Sequence, residues 1–581
     1  MVNTAPERAC DIIMKGGVTS GVVYPRAVTA LARTYRFRSI GGTSVGAIAA
    51  AITAAAELNR DGGGFDVVAS LPERVARHLP NLFQPAPEAR PLYALVRYGL
   101  IERRLWPVVS TLLVHHGQVV LAGAMVALVL GLLSVAIGGS LFAVLFALLV
   151  FVLVSVGLAA WSVIAGAADV LRDNAYGLCP GPTQPDGQGV GLADWLAETI
   201  EEAAGRPPPE DPAVLRAPLT FGDLAHNGPE DAPDGERGRI TLAMMTTNLA
   251  MRRPHRLPDL AATGPEPGPA FTALWFREDE FRKVMPGWIV DWMTRGPTAR
   301  PGPEDGMWEL PRPDDLPVAV ATRMSLSFPI LISAVPLHAP DRTGTIRRIL
   351  FSDGGLSSNF PIHFFDALLP RRPTFGISLE PAGALHTEPR VLLPTEPDPD
   401  PWRAYLAPQG PLAFLAAAWD ATQEWQDRLQ TSLPGYRERV ADVFLKGEEG
   451  GLNLAMPQTM LDDLTARGTE AGALLASGAF DFEDHRWRRF LVTYARLEET
   501  LASAAARWGA VVGPNGGTLA QEITRISKAP ASFGGTDPAT MRAVLARFDA
   551  LMRHAAAWDG PLSPKADIPK PESVLRVTPK P

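Results

Sequence analysis

From Leu105 to Ala168 the chain carries no Asp, Glu, Lys or Arg. A run of that length without a charge has to be buried in something, which restricts the possible folds more sharply than any other feature. Val119 to Ile137 and Leu141 to Ile164 are nearly continuous apolar runs, broken only by Gly138-Gly139-Ser140. Each reaches or approaches the length needed to cross a hydrocarbon layer of roughly 30 Å as a helix. So short a break suits two antiparallel helices whose outer ends lie on one side. Arg90, Arg97, Arg103 and Arg104 precede the pair and Arg172 follows it; positive flanks stay in the cytoplasm. The sequence thus predicts a transmembrane hairpin in the cytoplasmic membrane, with the remaining chain facing the cytoplasm. A re-entrant loop and a buried hairpin in a large soluble core are the other readings.

At 581 residues the chain is expected to form two or three units. Apolar residues at 46% supply a sizeable core, and the 55 prolines cluster in a few loop-like stretches. A net charge of −8 leaves no basic face for phosphates, so nucleic acid is excluded as a partner. Cys10 and Cys179 are too few for a disulfide framework or a cysteine zinc site. No His/Asp/Glu group has metal spacing, so neither a metal nor a cofactor is expected. The N-terminus, MVNTAPERACDIIMKGG, lacks the basic region and long apolar core of a signal peptide and reads as a first buried strand.

Strand and helix patterns alternate from residue 9 to about 100, which predicts a largely parallel sheet with helices on its faces. Ala9 to Met14 and Phe37 to Ile40 are the first strands; Gly21 to Thr34 and the Ala-rich Val45 to Leu58 are the helices after them. A Pro/Gly/Asp-rich region, 180 to 238, reads as irregular surface. Strand character returns at Ile240 to Thr247, Arg347 to Phe351 and Thr374 to Leu379, with a helix from Leu316 to Ser327 between. Beyond 400 the character is helical. Trp487, Leu491, Tyr494, Leu497, Leu501, Ala504 and Trp508 fall three or four apart and predict one buried stripe; Leu415, Trp419, Thr422 and Leu429 suggest another. The boundaries are 1–104 and 169–400 for a split sheet domain, 105–168 for the hairpin, 401–565 for the helical part and 566–581 for a disordered tail.

Gly42-Thr43-Ser44-Val45-Gly46 lies between the strand Phe37–Ile40 and the Ala-rich helix. A nucleophile elbow needs that strand–turn–helix setting, with small residues at Gly42 and Gly46 where helix and strand approach closely. The helix N-terminus also lends partial positive charge to an oxyanion formed there. The bland reading of Ser44 is a helix N-cap. Asp353-Gly354-Gly355 follows the strand Arg347–Phe351 and places a carboxylate at a strand's C-terminal end, where α/β sheets carry their sites. Gly16 and Gly17 of Lys15-Gly16-Gly17-Val18-Thr19-Ser20-Gly21 join the first strand to the first helix, and amides in such a loop can face inward.

Taken in order, these segments resemble the patatin-like phospholipases. Met245-Thr246-Thr247-Asn248, the stretch Ala321 to Leu337 and DGGLSSNFP from Asp353 to Pro361 extend the resemblance over residues 9–58 and 240–380. It implies an α/β three-layer sandwich with a mostly parallel sheet, here carrying an inserted transmembrane hairpin and a helical C-terminal region. It also implies hydrolysis of lipid acyl esters through a Ser44 acyl-enzyme, with Asp353 as base and no histidine between. Gly16, Gly17 and Val18 are then the amide donors to the oxyanion, Gly354 and Gly355 shape the base loop, and membrane lipid is the substrate. This chain departs from the family pattern at Val18 and Ser20, where a third glycine and a basic residue are common. An α/β-hydrolase with a Ser–Asp–His triad is a rival, since His363, His386 and His485 follow Asp353. A catalytically silent membrane scaffold is another.

Overall fold

The computed structural model describes most of residues 6–101, 165–228, 239–260, 274–382, 389–394 and 436–558, with scattered positions elsewhere. The chain opens with β1 (Arg8–Met14), α1 (Val23–Ala32), β2 (Tyr35–Gly42), α2 (Val45–Leu58) and α3 (Gly64–Leu82). Then come β3 (Gly177–Cys179), α4 (Leu192–Ala203), β4 (Thr241–Asn248), β5 (Arg253–Leu257), β6 (Trp275–Arg277) and β7 (Met307–Glu309). The stretch that reaches the base contains α5 (Val318–Ser325), β8 (Ile330–Ile332), β9 (Val335–Pro340), β10 (Ile346–Asp353) and β11 (Thr374–Pro381). The C-terminal part adds β12 (Val391–Leu392), β13 (Val440–Leu445), α6 (Gln458–Ala476), α7 (Phe482–Trp508) and α8 (Pro538–Ala556).

Among the described residues eleven strands form one sheet in the order β12-β13-β11-β1-β2-β4-β10-β9-β6-β7, with β5 beside β4. The pairs among β13, β11, β1, β2 and β4 are parallel. From β4 outward they are antiparallel, as is β12 at the other edge. The sheet is therefore mixed, not mostly parallel. The reason lies in connection length: β9 and β10 are joined by so short a loop that only a hairpin can close it.

The register sets the site. Met14 pairs with Gly42, and Gly42 with Met244, so β1, β2 and β4 are level at those residues. Gly16, Ser44 and Thr246 each lie two residues beyond that line. β10 arrives from outside the rim, running against β4, and stops with Asp353 opposite Thr246. One face of the sheet packs Ile12, Phe37, Ile40 and Met244 against α1, α2 and α3. The other holds a smaller cluster of Ile13, Phe360, Ile362 and Val440.

Among the described residues no helix is long and apolar enough to cross a membrane. Most of 119–137 and 141–164 lies outside those residues. The transmembrane hairpin, and the placement in the cytoplasmic membrane that rested on it, are withdrawn: an uncharged composition is not by itself a continuous spanning helix. The C-terminal region 401–565 is not simply helical, since β13 extends the sheet. The stretch 180 to 238 is not all irregular either; Leu196, Ala197 and Ile200 of α4 are buried. On α7 the expected stripe is only partly buried. Leu501, Ala504 and Trp508 pack against Met552 and Ala555 of α8, but Trp487 is 57% exposed, and His485, Arg489, Thr493 and Glu498 are buried instead. Arg489 pairs with Asp366 at 2.9 Å, and Asp366 with Arg439 at 2.5 Å. Leaving those buried charges unpaired would cost more than exposing Trp487. The stripe at Leu415 to Leu429 and the tail 566–581 fall outside the described residues.

α6 lies against α1 through two glycines. A methyl group on Gly468 would sit 2.1 Å from the Val23 carbonyl oxygen, and one on Gly472 would sit 2.3 Å from that of Ala27. Gly468→Val is expected to lower the melting temperature markedly, by the equivalent of about 2–3 kcal/mol. An unchanged melt would mean that α6 does not rest on α1.

Candidate active site

Ser44 sits between β2 and α2 with φ 53° and ψ −128°, a backbone region that non-glycine residues seldom occupy. Its neighbours permit the turn. A methyl group on Gly42 would lie 2.3 Å from the Gly46 carbonyl oxygen, and one on Gly46 would lie 2.2 Å from that of Met14. The Ser44 side chain caps no amide of α2, so it is not the simple N-cap. Its own amide donates to Ser325 Oγ at 3.3 Å. The residue is 4% exposed, which puts it at the inner end of a cleft.

Asp353, only 3% exposed, is held on both sides of its backbone. Its amide donates to the Ser327 carbonyl at 3.0 Å, and its carbonyl accepts from Thr247 Oγ1 at 2.9 Å. Oδ1 accepts from the Gly355 amide at 2.7 Å; Oδ2 is buried with no hydrogen bond of standard geometry among the described residues. Burial pushes the carboxyl up from its ordinary 3.8 to about 7, against opposing pulls from the Ser44 hydroxyl and the Gly355 amide. Ser44 therefore lies close enough to influence the carboxyl without yet holding Oδ2 in a standard hydrogen bond. A methyl group on Gly354 would lie 2.1 Å from the Met245 carbonyl oxygen, which explains the small residue after the base.

The glycine loop is close by. A methyl group on Gly16 would lie 3.2 Å from Ser44 Cβ. The Gly16 amide, however, donates to the Asn359 carbonyl at 2.8 Å and is not free to serve an oxyanion. Gly17 remains as a donor, and Val18 lies outside the described residues. Sequence reasoning assigns Asn359 no role of its own, and Asp427 none at all. Asn359 accepts from Gly16 and from Thr43 Oγ1 at 2.8 Å, while Asp427 accepts from the amides of Asn359 and Phe360 at 2.6 and 2.9 Å. The Asn within DGGLSSNFP was a signal for the first; nothing in the sequence marked the second.

No histidine among the described residues acts on Asp353. His363 lies in the turn Ile362–Phe364 against Phe364. His485 is on α7 among Phe480 and Phe482, with burial pushing its pKa down to about 3. His386 is outside the described residues. Among the described residues no group of His, Cys, Asp and Glu could hold a metal ion.

An open cleft leads from Ser44 between α2, α3 and α4, past Ile48, Leu79, Phe83 and Trp195. Its lining is almost wholly apolar apart from Ser44 itself. A lining of that polarity suits a hydrocarbon chain.

Fold and site together define a mixed α/β protein with a strained, buried serine beside a buried carboxyl at one rim of the sheet. No family model matches the chain. It is 35% identical to the RpoH suppressor of Rhizobium meliloti (strain 1021), over 87% of this chain and 86% of that one, and it belongs to that protein's family. A shorter match, 41% identical, spans 12% of this chain and 22% of the uncharacterized protein YqhO of Bacillus subtilis (strain 168). Two structures of the ExoU–SpcU complex of Pseudomonas aeruginosa align at 15% and 14% identity. They cover 95% and 98% of this chain and 84% and 76% of theirs, with TM-scores of 0.20 and 0.18, a likeness too slight to build on.

An unfolded aspartate ionises near 3.8 and the folded Asp353 near 7. The folded chain thus holds this proton more tightly, and its stability falls as pH rises from about 4 to about 7, then stays low. Asp353→Asn removes that fall. The variant is expected to melt above the wild type at pH 8, by on the order of 4 kcal/mol at most, with the gap closing towards pH 4. Equal melts at pH 8 would show that the carboxyl is not buried as described.

Proposed function

We propose that the chain is a serine acyl hydrolase of the patatin-like kind, acting on lipid esters of long acyl chains. The observation that carries this reading is Ser44, strained at a strand-to-helix turn with the buried Asp353 carboxyl beside it. A serine hydroxyl attacks only if its proton leaves in the transition state, and a carboxylate near its ordinary pKa is a weak base for that step. Asp353 at about 7 is much better matched to neutral pH.

In the first half-reaction Ser44 Oγ bonds to the ester carbonyl carbon while its proton passes to Asp353. Negative charge then grows on the carbonyl oxygen, which faces the N-terminus of α2 and the glycine loop. A donor amide there is worth on the order of 3 kcal/mol. The bond to the alcohol oxygen breaks as Asp353 returns the proton to it. In the second half-reaction water gives its proton to Asp353 and attacks the acyl-enzyme, and Ser44 leaves with that proton. The apolar cleft supports an acyl chain on the substrate, since each buried methylene contributes about 0.8 kcal/mol.

A series of p-nitrophenyl esters from acetate to palmitate tests the reading. In the wild type kcat/KM is expected to rise roughly fourfold per methylene until the cleft is filled. Its acid limb is expected near pH 7, because only the ionised Asp353 accepts the proton. Ser44→Ala should lose at least about a thousandfold. Full turnover by that variant, or no hydrolysis of any ester by the wild type, overturns the assignment.

A further inference from the structure

Asp427 lies within 395–435, most of which is outside the described residues, yet it is itself placed and only 4% exposed. Its carboxylate accepts three hydrogen bonds from one short loop. Oδ1 takes the Ser358 hydroxyl at 2.7 Å, and Oδ2 takes the amides of Asn359 and Phe360 at 2.6 and 2.9 Å. These donors lie in or next to the buried interior, where an unsatisfied amide costs about 1–3 kcal/mol, so the carboxylate fixes the course of the loop. Lys15, paired with Glu380 at 2.7 Å, adds a favourable charge from the end of β1.

The loop so fixed touches every segment that carries the chemistry. The Asn359 carbonyl accepts from the Gly16 amide and from Thr43 Oγ1, both at 2.8 Å. Its side-chain Nδ2 donates to the Gly16 carbonyl at 3.3 Å. Its Oδ1 lies against Gly355, where a methyl group would approach it to 2.8 Å. Glycine loop, elbow and base loop therefore meet on one residue, and that residue is held in place from the C-terminal part of the chain.

We propose that Asp427 is a positioning residue for acyl transfer, holding Asn359 and, through its main-chain oxygen, the glycine loop and the elbow in register. This rests on the hydrolase reading above. Asp427 does not line the apolar cleft that seats the acyl chain, so its loss misplaces the oxyanion donors without weakening substrate binding. Misplacement by about 1 Å can cost a hundredfold in rate.

The test compares the full-length wild type with Asp427→Ala and Asp427→Asn on p-nitrophenyl octanoate, together with amide hydrogen exchange of the peptides covering 15–21 and 358–362. Asp427→Ala is expected to lower kcat by about 10- to 100-fold with KM within about twofold. Exchange in both peptides should speed up. Asp427→Asn keeps an acceptor oxygen and should recover most of kcat and of the protection. If the alanine variant does not fold, Asp427→Glu takes its place; it retains the carboxylate but shifts it by one methylene, and kcat should fall at least about fivefold at a near-normal melting temperature. Wild-type kcat and exchange in the alanine variant (or, where it does not fold, in the glutamate variant), a change confined to KM, or equal losses in alanine and asparagine variants would each overturn the positioning role. A wild type that turns over no ester fails the hydrolase reading itself, a result separable from any difference between variants.

Discussion

The backbone at Ser44 is the constraint on which the rest of the site depends. Holding a serine at φ 53° costs on the order of 1–3 kcal/mol. The conformation persists because β2 and α2 are fixed on either side of it. Gly46 lets the helix come within contact of the Met14 carbonyl, and Gly42 lets the strand end come within contact of the Gly46 carbonyl. The Ala-rich face of α2, with Ala47, Ala50 and Ala54 fully buried, keeps the helix close to the sheet. Relaxing the turn would require pulling α2 out of the main core.

A second destabilising feature, the buried Asp353, is placed by strand direction. Because β10 runs against β4, its last residue stops just beyond the line of Met14, Gly42 and Met244. Thr247 and Ser327 hold its backbone from either side. Ser325 accepts the Ser44 amide only two residues from Ser327, so one short segment at the end of α5 touches both nucleophile and base. Arg323 secures that segment: fully buried, it donates to Ser327 Oγ at 2.7 Å and to the Pro180 and Ser333 carbonyls at 2.8 Å. Two groups some three hundred positions apart are thereby set by a common frame rather than by each other.

Much of this was legible in the residues. The run from β1 to α2 follows from apolar strands, a glycine loop and an Ala-rich helix, and Gly-x-Ser-x-Gly marked Ser44 by its setting. Asp353 was singled out by a rule about parallel sheets, although its strand is antiparallel and reaches the rim from the other direction. Long-range pairing was not legible. Nothing local announces that Val440–Leu445 joins β11, that Asp427 returns to the loop at Asn359, or that the Gly16 amide is already taken. On α7, apolar periodicity marked the end that packs on α8 and missed the part that turns Arg489 inward, because its carboxylate partner Asp366 lies more than a hundred residues away.

The central claim is that Ser44 is a nucleophile activated by Asp353, and covalent labelling reads it most directly. The chain is treated with a long-chain alkyl fluorophosphonate, and the adduct is located by peptide mass spectrometry at several pH values. A single adduct on Ser44, with a labelling rate that climbs through about pH 7, is the predicted result. No adduct, or one confined to another serine such as Ser325, would contradict the account.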